Sequence, residues 1–462
     1  MFADLRSVGF VQGLNMKLKI FIILIIPLIC FASDASRETL LGEVSGITDV
    51  DIDNAKNNLQ ELSLFDAFAL AVYNTEDLKI GSESYFQAIE RRRQTFGNFL
   101  PFLAFQGNYV LPTSIKGSAP VSSSGLSSGI SLYGRQNILT GLSEWGNYSL
   151  AGKDMELSKM QLSVMTSGLL LDVSAAYYSV LTLQDLYKSN TEILNLYKKT
   201  RAEIARRISI GRSKASDLSR IDTQIYQLEA QIKEIETNLE STKLALSFLT
   251  GINSYLLKDT FSFSEIPDII EKADKLLPAR GDVKFADIML EKAKISHSAS
   301  IGGHLPSIYA HGAYSIYSRG PGNDYYIGIG AELPLFEGGS AQAKIREADS
   351  QKKSAELILS KVKKDAKQDI IDSAMLVNFS KSQYDAYKKA YESSQKTYQA
   401  VMADYAKDRV TVLDVLSSLT SLQSAKNDFE KISLTRKLYR IKLGIAIFEY
   451  TGKDIKLIEG VK

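Results

Sequence analysis

The chain has 462 residues, 45% hydrophobic and 23% charged, with a net charge of +2. That balance excludes a disordered tail, which lacks the apolar residues to form a core, and it excludes a nucleic-acid binder, which carries a strong basic excess. The nine prolines fall at 27, 101, 112, 120, 267, 278, 306, 321 and 334, so 121–266 and 335–462 predict long uninterrupted helices.

At the start, Lys17 and Lys19 precede an apolar run from Ile20 to Phe31 and the small residues Ala32, Ser33 and Ala35. This is the pattern of an export signal over 1–32, with Met16 as an alternative start. The run is too short to span a bilayer. Cys30, the only cysteine, lies inside it, so the exported chain is expected to carry no thiol and no disulfide. Acylation at Cys30 is the lesser reading, because Ile29 fits poorly before a lipidated cysteine. A polar segment fills 33–60.

Residues 61–100 show helical spacing that stops at Pro101, and 278–305 show it again, stopping at Pro306. Each proline opens a related stretch: "NFLPFLAFQGNYV" at 98–110 and "GHLPSIYAHGAYS" at 303–315 share Leu, Pro, Gly and Tyr at one offset, as Leu100 and Leu305 illustrate. Beyond each proline the period changes to alternation. Leu103, Phe105, Gly107, Tyr109 and Leu111 oppose Ala104, Gln106 and Asn108, while Ile308, Ala310, Gly312, Tyr314 and Ile316 oppose Tyr309, His311, Ala313 and Ser315. A second strand follows each first one, with Ile130, Leu132 and Ile138 on one face, and Tyr325, Ile327, Ile329, Ala331 and Leu333 opposing Tyr326, Gly328, Gly330 and Glu332. The strands are expected at about 101–112, 127–142, 306–317 and 324–335. An edge of a soluble β-sandwich is one reading. Strands of this length with one apolar face also fit a transmembrane barrel, where a tilted strand needs about 9–11 residues. Four strands cannot close a barrel, and every edge in lipid must be paired, so that reading demands oligomerisation.

Next come spans from Gly146 to Gly211 and from Gly339 to Asp408 with few helix breakers, each approaching about 100 Å at 1.5 Å per residue. The returning segment of the first pair steps by 3 and 4 through Leu218, Ile221, Ile225, Leu228, Ile232, Ile235 and Leu239, a coiled-coil seam. Val173, Val180, Tyr187 and Leu194 on the outgoing segment step by sevens, and the two predict an antiparallel hairpin. Val412, Val415, Leu419 and Leu422 repeat this in the second half until Lys426 interrupts. The tips fall near 211 and 408, and the returning helices end alike at "FLTG" and "EYTG". The unit of helix, two strands, long helix, tip and long helix thus occurs twice, over 61–251 and 278–452, with 252–277 connecting and 453–462 as a tail.

This order, with "ELPLFEGGSAQAKIREA" after the last strand and "VTVLDVLSSLTSLQSAKNDF" after the second tip, resembles the TolC-like outer-membrane efflux protein family over about 60–452. The resemblance implies an α+β membrane protein in the Gram-negative outer membrane. It implies a homotrimer giving four strands per protomer to a twelve-stranded β-barrel, continued by a coiled-coil α-helical tunnel into the periplasm. It also implies an exit duct working with a periplasmic adaptor and an inner-membrane RND or ABC transporter, without a cofactor. Small-molecule efflux and type I protein secretion remain alternatives, as does a non-transporting envelope coiled coil. By position, Asp414 matches the acidic ring of the periplasmic constriction, Asp217 the aspartate that locks the closed state, and Tyr405 its partner. Ser417 stands at the second acidic position, Val410 at that of the locking arginine with Arg409 as a substitute, and Asp408 where glycine is usual. Gly211, Arg212, Lys407 and Asp408 form the tips where an adaptor would dock.

Other local signals have plain readings. His297, His304 and His311 recur every seven residues, but Pro306 breaks the helix that would align them as metal ligands. Arg206, Arg207, Arg212 and Lys214 make the first tip basic, as a solvated helix end would be. Asp217 and Asp414 also suit the positive end of a helix dipole. Trp145, Tyr109, Phe105, Tyr325 and Tyr326 lie where an interfacial girdle is expected. No Gly-rich phosphate loop or HExxH motif is present, and an enzyme is not expected.

Overall fold

A computed structural model describes residues 37–57, 61–108, 129–141, 143–253, 256–259, 261, 269–318 and 325–447. The expected export signal with Met16 and Cys30, the links within both strand pairs and the tail 453–462 lie outside the described residues.

Two short helices, α1 (Arg37–Ser45) and α2 (Asp49–Asn57), precede α3 (Leu64–Asn74). Ser63 and Asp66 cap α3 reciprocally, Ser63 Oγ accepting from Asp66 N at 3.1 Å and Asp66 Oδ2 accepting from Ser63 N at 3.2 Å. Every residue from Leu64 to Val72 is buried, as a helix apolar on all sides must be. Then α4 (Glu76–Gly97), β1 (Phe102–Asn108), β2 (Gly129–Thr140), α5 (Ser143–Ser209) and α6 (Ala215–Thr250) follow in order. After α7 (Ile269–Leu276) the same order recurs as α8 (Gly281–Ile301), β3 (Ser307–Ser318), β4 (Tyr325–Glu332), α9 (Ser340–Ala406) and α10 (Val412–Ala446). The two long outgoing helices, α5 and α9, have 67 residues each. At 1.5 Å per residue each is a rod of about 100 Å.

The strands form one antiparallel sheet in the order β1-β2-β3-β4, so among the described residues β1 and β4 each keep an unpaired edge. Directly opposed residues share a face. The register puts Phe105, Leu132, Tyr314 and Tyr325 in one row, and Leu103, Gly134, Gly312 and Ile327 in the next row on that face. Phe105, Ile327 and Ile329 are among its most exposed side chains. The opposite face is mixed, with Ala104, Tyr133, Ala313 and Tyr326 in one row and Phe102, Arg135, His311 and Gly328 in the next. Tyr326 therefore lies against His311, with ring centroids 5.7 Å apart, rather than beside Tyr325 in an apolar girdle. Tyr109 lies outside the described residues. Trp145 stands just below the sheet, stacked edge-on against Phe99 at 5.0 Å.

Helix pairing follows the hairpin expectation: α5 packs on α6, α9 on α10, and α5 on α10 across the two halves. Ile221, Ile225, Leu228, Ile235 and Leu239 are buried, and Leu218 and Ile232 are partly so. The seven-residue stripe on α5 holds less well. Val173 and Val180 are fully buried, but Tyr187 is exposed and the seam passes to Leu186, Asn190, Ile193 and Tyr197. A helix with 3.6 residues per turn drifts about 20° per heptad, so a strict sevenfold stripe leaves the contact face after two turns of the pattern.

Candidate functional site

At the far end of the bundle from the sheet, the two hairpins turn in the same way. In the first tip Gly211 N donates to Ile208 O at 2.9 Å and Arg212 N to Arg207 O at 2.8 Å. In the second, Asp408 N donates to Tyr405 O at 3.1 Å and Arg409 N to Asp404 O at 3.0 Å. Both are Schellman closures, whose penultimate residue takes the left-handed conformation that favours glycine. Gly211 has φ +75°, and Asp408 has φ +56° as the described residues' single positive-φ non-glycine. Asp is one of the few side chains that tolerate this region.

The returning helices also start alike. Asp217 Oδ2 accepts from Lys214 N at 3.2 Å, and Asp414 Oδ2 accepts from Thr411 N at 2.8 Å and from Thr411 Oγ1 at 2.7 Å. The Thr411 hydroxyl and amide hold the Asp414 carboxyl below the usual carboxylate range. Asp414 and Ser417 are exposed, one turn apart on α10, on the side away from buried Val412, Val415 and Leu419.

Between the tips lies Arg207, whose side chain is 6% exposed. Its guanidinium crosses from the first hairpin to the second, ion-pairing with Asp408 and donating to Tyr405 O at 2.6 Å. Its Cζ rests 4.1 Å from the centroid of the Tyr405 ring. Arg212 reaches the other Asp408 oxygen at 3.3 Å, and Glu203 accepts from Arg207 Nε at 3.1 Å. The Arg206 guanidinium beside Glu203, with Arg207 behind it, holds the Glu203 carboxyl down to about 2. Beneath this cluster Ile204, Tyr197, Ile221 and Ile225 of the first hairpin share one core with Tyr405, Val412, Val415 and Leu419 of the second.

The expected Asp217–Tyr405 contact is not formed within one chain. Asp217 is turned to its own helix start, while the Tyr405 hydroxyl is enclosed with no hydrogen-bond partner among the described residues. Arg409, the expected substitute for the locking arginine, lies 3.6 Å from Asp404 in its own tip, and both are exposed enough for this contact to be weak. Lys407 is exposed beside Asp408. The buried residue that spans the tips is Arg207, legible in the sequence only as one of several basic residues. The signal that could have found it is Asp408 itself: an acid in a glycine position is held there by a partner.

Higher in the bundle a buried amide pair also joins the halves. Asn190 is fully buried on α5 and exchanges hydrogen bonds with Asn427 on α10 at 3.0 and 3.2 Å, while Gln423 bridges Asn190 to Gln231 on α6. Among the described residues no group of three His, Cys, Asp or Glu is placed to hold a metal ion.

A four-stranded antiparallel sheet with one greasy exposed face, continued by two very long helical hairpins, is a fold shared with solved outer-membrane channels. Residues 274–443 match the family described as outer membrane efflux protein. The chain is 25% identical over 403 residues to the outer membrane protein TolC of Vibrio cholerae, covering 81% of this chain and 87% of that protein. It is 21% identical over 423 residues to TolC of Escherichia coli, covering 86% and 84%. The crystal structure of the Campylobacter jejuni CmeC outer membrane channel superposes with a TM-score of 0.73 at 17% identity, covering 86% of this chain and 89% of that one. The chain is thus similar to the TolC-like outer-membrane efflux proteins, and these comparisons place it in the outer membrane.

Proposed function

We propose that three copies of this chain close a twelve-stranded barrel and a helical tunnel, forming the passive exit duct of a tripartite export system. The observation that carries the reading is the pair of unpaired edges at β1 and β4 on a sheet whose exposed face is apolar. Neither edge survives in lipid unpaired. Four strands in this order leave β4 antiparallel to the β1 of a following copy, so a heterologous contact repeated by rotation closes a ring. The apolar face then meets lipid and the mixed face lines the lumen.

In this reading the hairpin tips form the periplasmic end. Arg207 with Asp408 and Tyr405 ties the two hairpins of each protomer, and Asp414 with Ser417 lines the constriction. Gly211, Arg212, Lys407 and Asp408 present the docking surface for a periplasmic adaptor, and an inner-membrane RND or ABC transporter supplies the energy.

A single cysteine at Arg212, crosslinked in living cells and identified by mass spectrometry, tests the docking surface and the cargo class together. Capture of an adaptor of a small-molecule or metal pump supports efflux, and capture of one serving a protein-exporting ABC transporter supports secretion. If the assembled, exported protein yields no adduct, the tips are not where the adaptor binds.

A further inference from the structure

The mixed face of the sheet holds a built cluster that the tip contacts do not use. Arg135 and His311 are directly paired across β2 and β3, and Tyr309 is paired with Asn137 one row nearer the helices. Arg135 Cζ lies 4.4 Å from the centroid of the Tyr309 ring, and the Tyr309 and His311 rings are 5.4 Å apart. Glycine on the neighbouring strand makes the arrangement possible. A Cβ added to Gly330 would fall 2.5 Å from Tyr309 Cζ, and one added to Gly328 would fall 3.3 Å from His311 Cε1. The tyrosine ring therefore lies flat on the β4 backbone and serves as a shelf for the guanidinium, which stays exposed.

Among the described residues no carboxylate forms an ion pair with Arg135. The acids on this side stand toward the helices: Glu332 ends β4, and Glu144 accepts a hydrogen bond from Asn137 Nδ2 at 2.9 Å. An arginine is always charged at working pH, and rings of Arg or Lys favour anions in pores.

We propose that Arg135, seated on Tyr309 and repeated in each protomer, forms a cationic ring on the lumen face of the barrel that favours the passage of anionic solutes. The inference rests on the duct reading above, and it assigns the barrel section its own charge selection, separate from that of Asp414 at the helical end. Tyr309 is a positioning residue, fixing the height and reach of the charge.

The test is the chloride-to-potassium permeability ratio, read from reversal potentials of purified protein in planar bilayers across a KCl gradient. The dilute side is kept near 0.01 M, where the Debye length is about 30 Å and a fixed charge is felt across a pore. Arg135→Gln is expected to lower the ratio at least twofold and Arg135→Lys to preserve most of it. Arg135→Cys is then modified in the inserted channel, where a cationic methanethiosulfonate should raise the ratio and an anionic one lower it further. The unaltered background offers no competing thiol on the sheet, because Cys30 lies in the expected export signal. An unchanged ratio in Arg135→Gln, or no response of Arg135→Cys to either reagent in conducting channels, overturns the proposal alone. Absence of channels from the unaltered protein overturns the duct reading itself.

Discussion

Arg207 on α5 is bonded to Asp408 in the second tip, and the same guanidinium donates to Tyr405 O and covers the Tyr405 ring. One side chain thereby closes an electrostatic, a hydrogen-bond and a cation–π contact between the two hairpins. Removing it leaves the Tyr405 carbonyl with only the Asp408 amide and the Asp408 carboxylate with only the exposed Arg212, at a cost of about 1–3 kcal/mol. The lower part of that range applies to the ion pair, because Asp408 is half exposed. Arg207→Ala is expected to raise single-channel conductance, and the swap Arg207→Asp with Asp408→Arg to recover part of the closed state. A conductance equal to that of the unaltered channel would remove Arg207 from the gate.

Asp408 holds a left-handed backbone as well as a charge, and substitutions separate the two roles. Asp408→Asn keeps tolerance of φ +56° and loses the charge. Asp408→Ala loses both, adding about 1 kcal/mol of backbone strain. Amide exchange at the second tip should therefore rank Ala fastest, Asn intermediate and the native protein slowest. Equal rates for Asn and Ala would show that backbone conformation contributes nothing there.

Asn190 pairs with Asn427 at the contact between α5 and α10, where Gln423 also reaches Asn190 and Lys426 pairs with Glu192. A buried asparagine pair fixes register in coiled coils at some loss of stability. Asn190→Leu strands Asn427 and is expected to destabilise by about 1–3 kcal/mol, while Asn190→Leu with Asn427→Leu recovers most of it. Thermal unfolding of the detergent-solubilised protein measures both, and a double variant no better than the single would count against this pairing.

Glu430 on α10 is half-buried near Asp185, and burial, with that second acid adding to it, pushes the Glu430 carboxyl above the usual range. Burial does the same to Asp185. The folded state then holds these protons more tightly than the unfolded chain, so their contribution favours folding at low pH. It is lost as pH rises from the ordinary glutamate value of about 4.3 through the raised one. Glu430→Gln should raise the melting temperature at pH 8 and leave it unchanged near pH 4. A variant less stable than the native protein at pH 8 would reverse the assigned sign.

Gly141 joins β2 to α5 with φ +59°, and a Cβ there would lie 2.2 Å from Gly302 O. Backbone cannot retreat as a side chain can. Gly141→Ala is expected to abolish assembly in the outer membrane, whereas Gly97→Ala, with open space around it, should assemble normally. Heat-modifiable migration of the oligomer on gels reads the outcome, and normal assembly of Gly141→Ala would refute the clash.

Much of this protein was legible in one dimension because its elements are long and strictly periodic. The proline-free spans, the 3-and-4 stepping from Leu218 to Leu239 and the alternation around Phe105 and Ile327 each report a local repeat that needs no partner to be recognised. Pro101 and Pro306 mark where one period gives way to the other, since proline ends a helix and forces its predecessor to extend.

The pairings between elements were another matter. The sequence marked Asp217, Asp414 and Tyr405 by position, but it contained nothing to say that both acids turn back onto their own helix starts or that Tyr405 lies beneath Arg207. Which arginine of a basic tip crosses to the other hairpin depends on helix phase, and phase accumulates at about 100° per residue over a rod of 67 residues. The drift that carried Tyr187 out of the seam and brought Asn190 into it is the same effect. Arg135 and Tyr309 met through strand register, set by bulges near Ser131 and Ile138 that alternation alone does not reveal. Local periodicity determined the elements, and the three-dimensional phase between them decided which side chains touch.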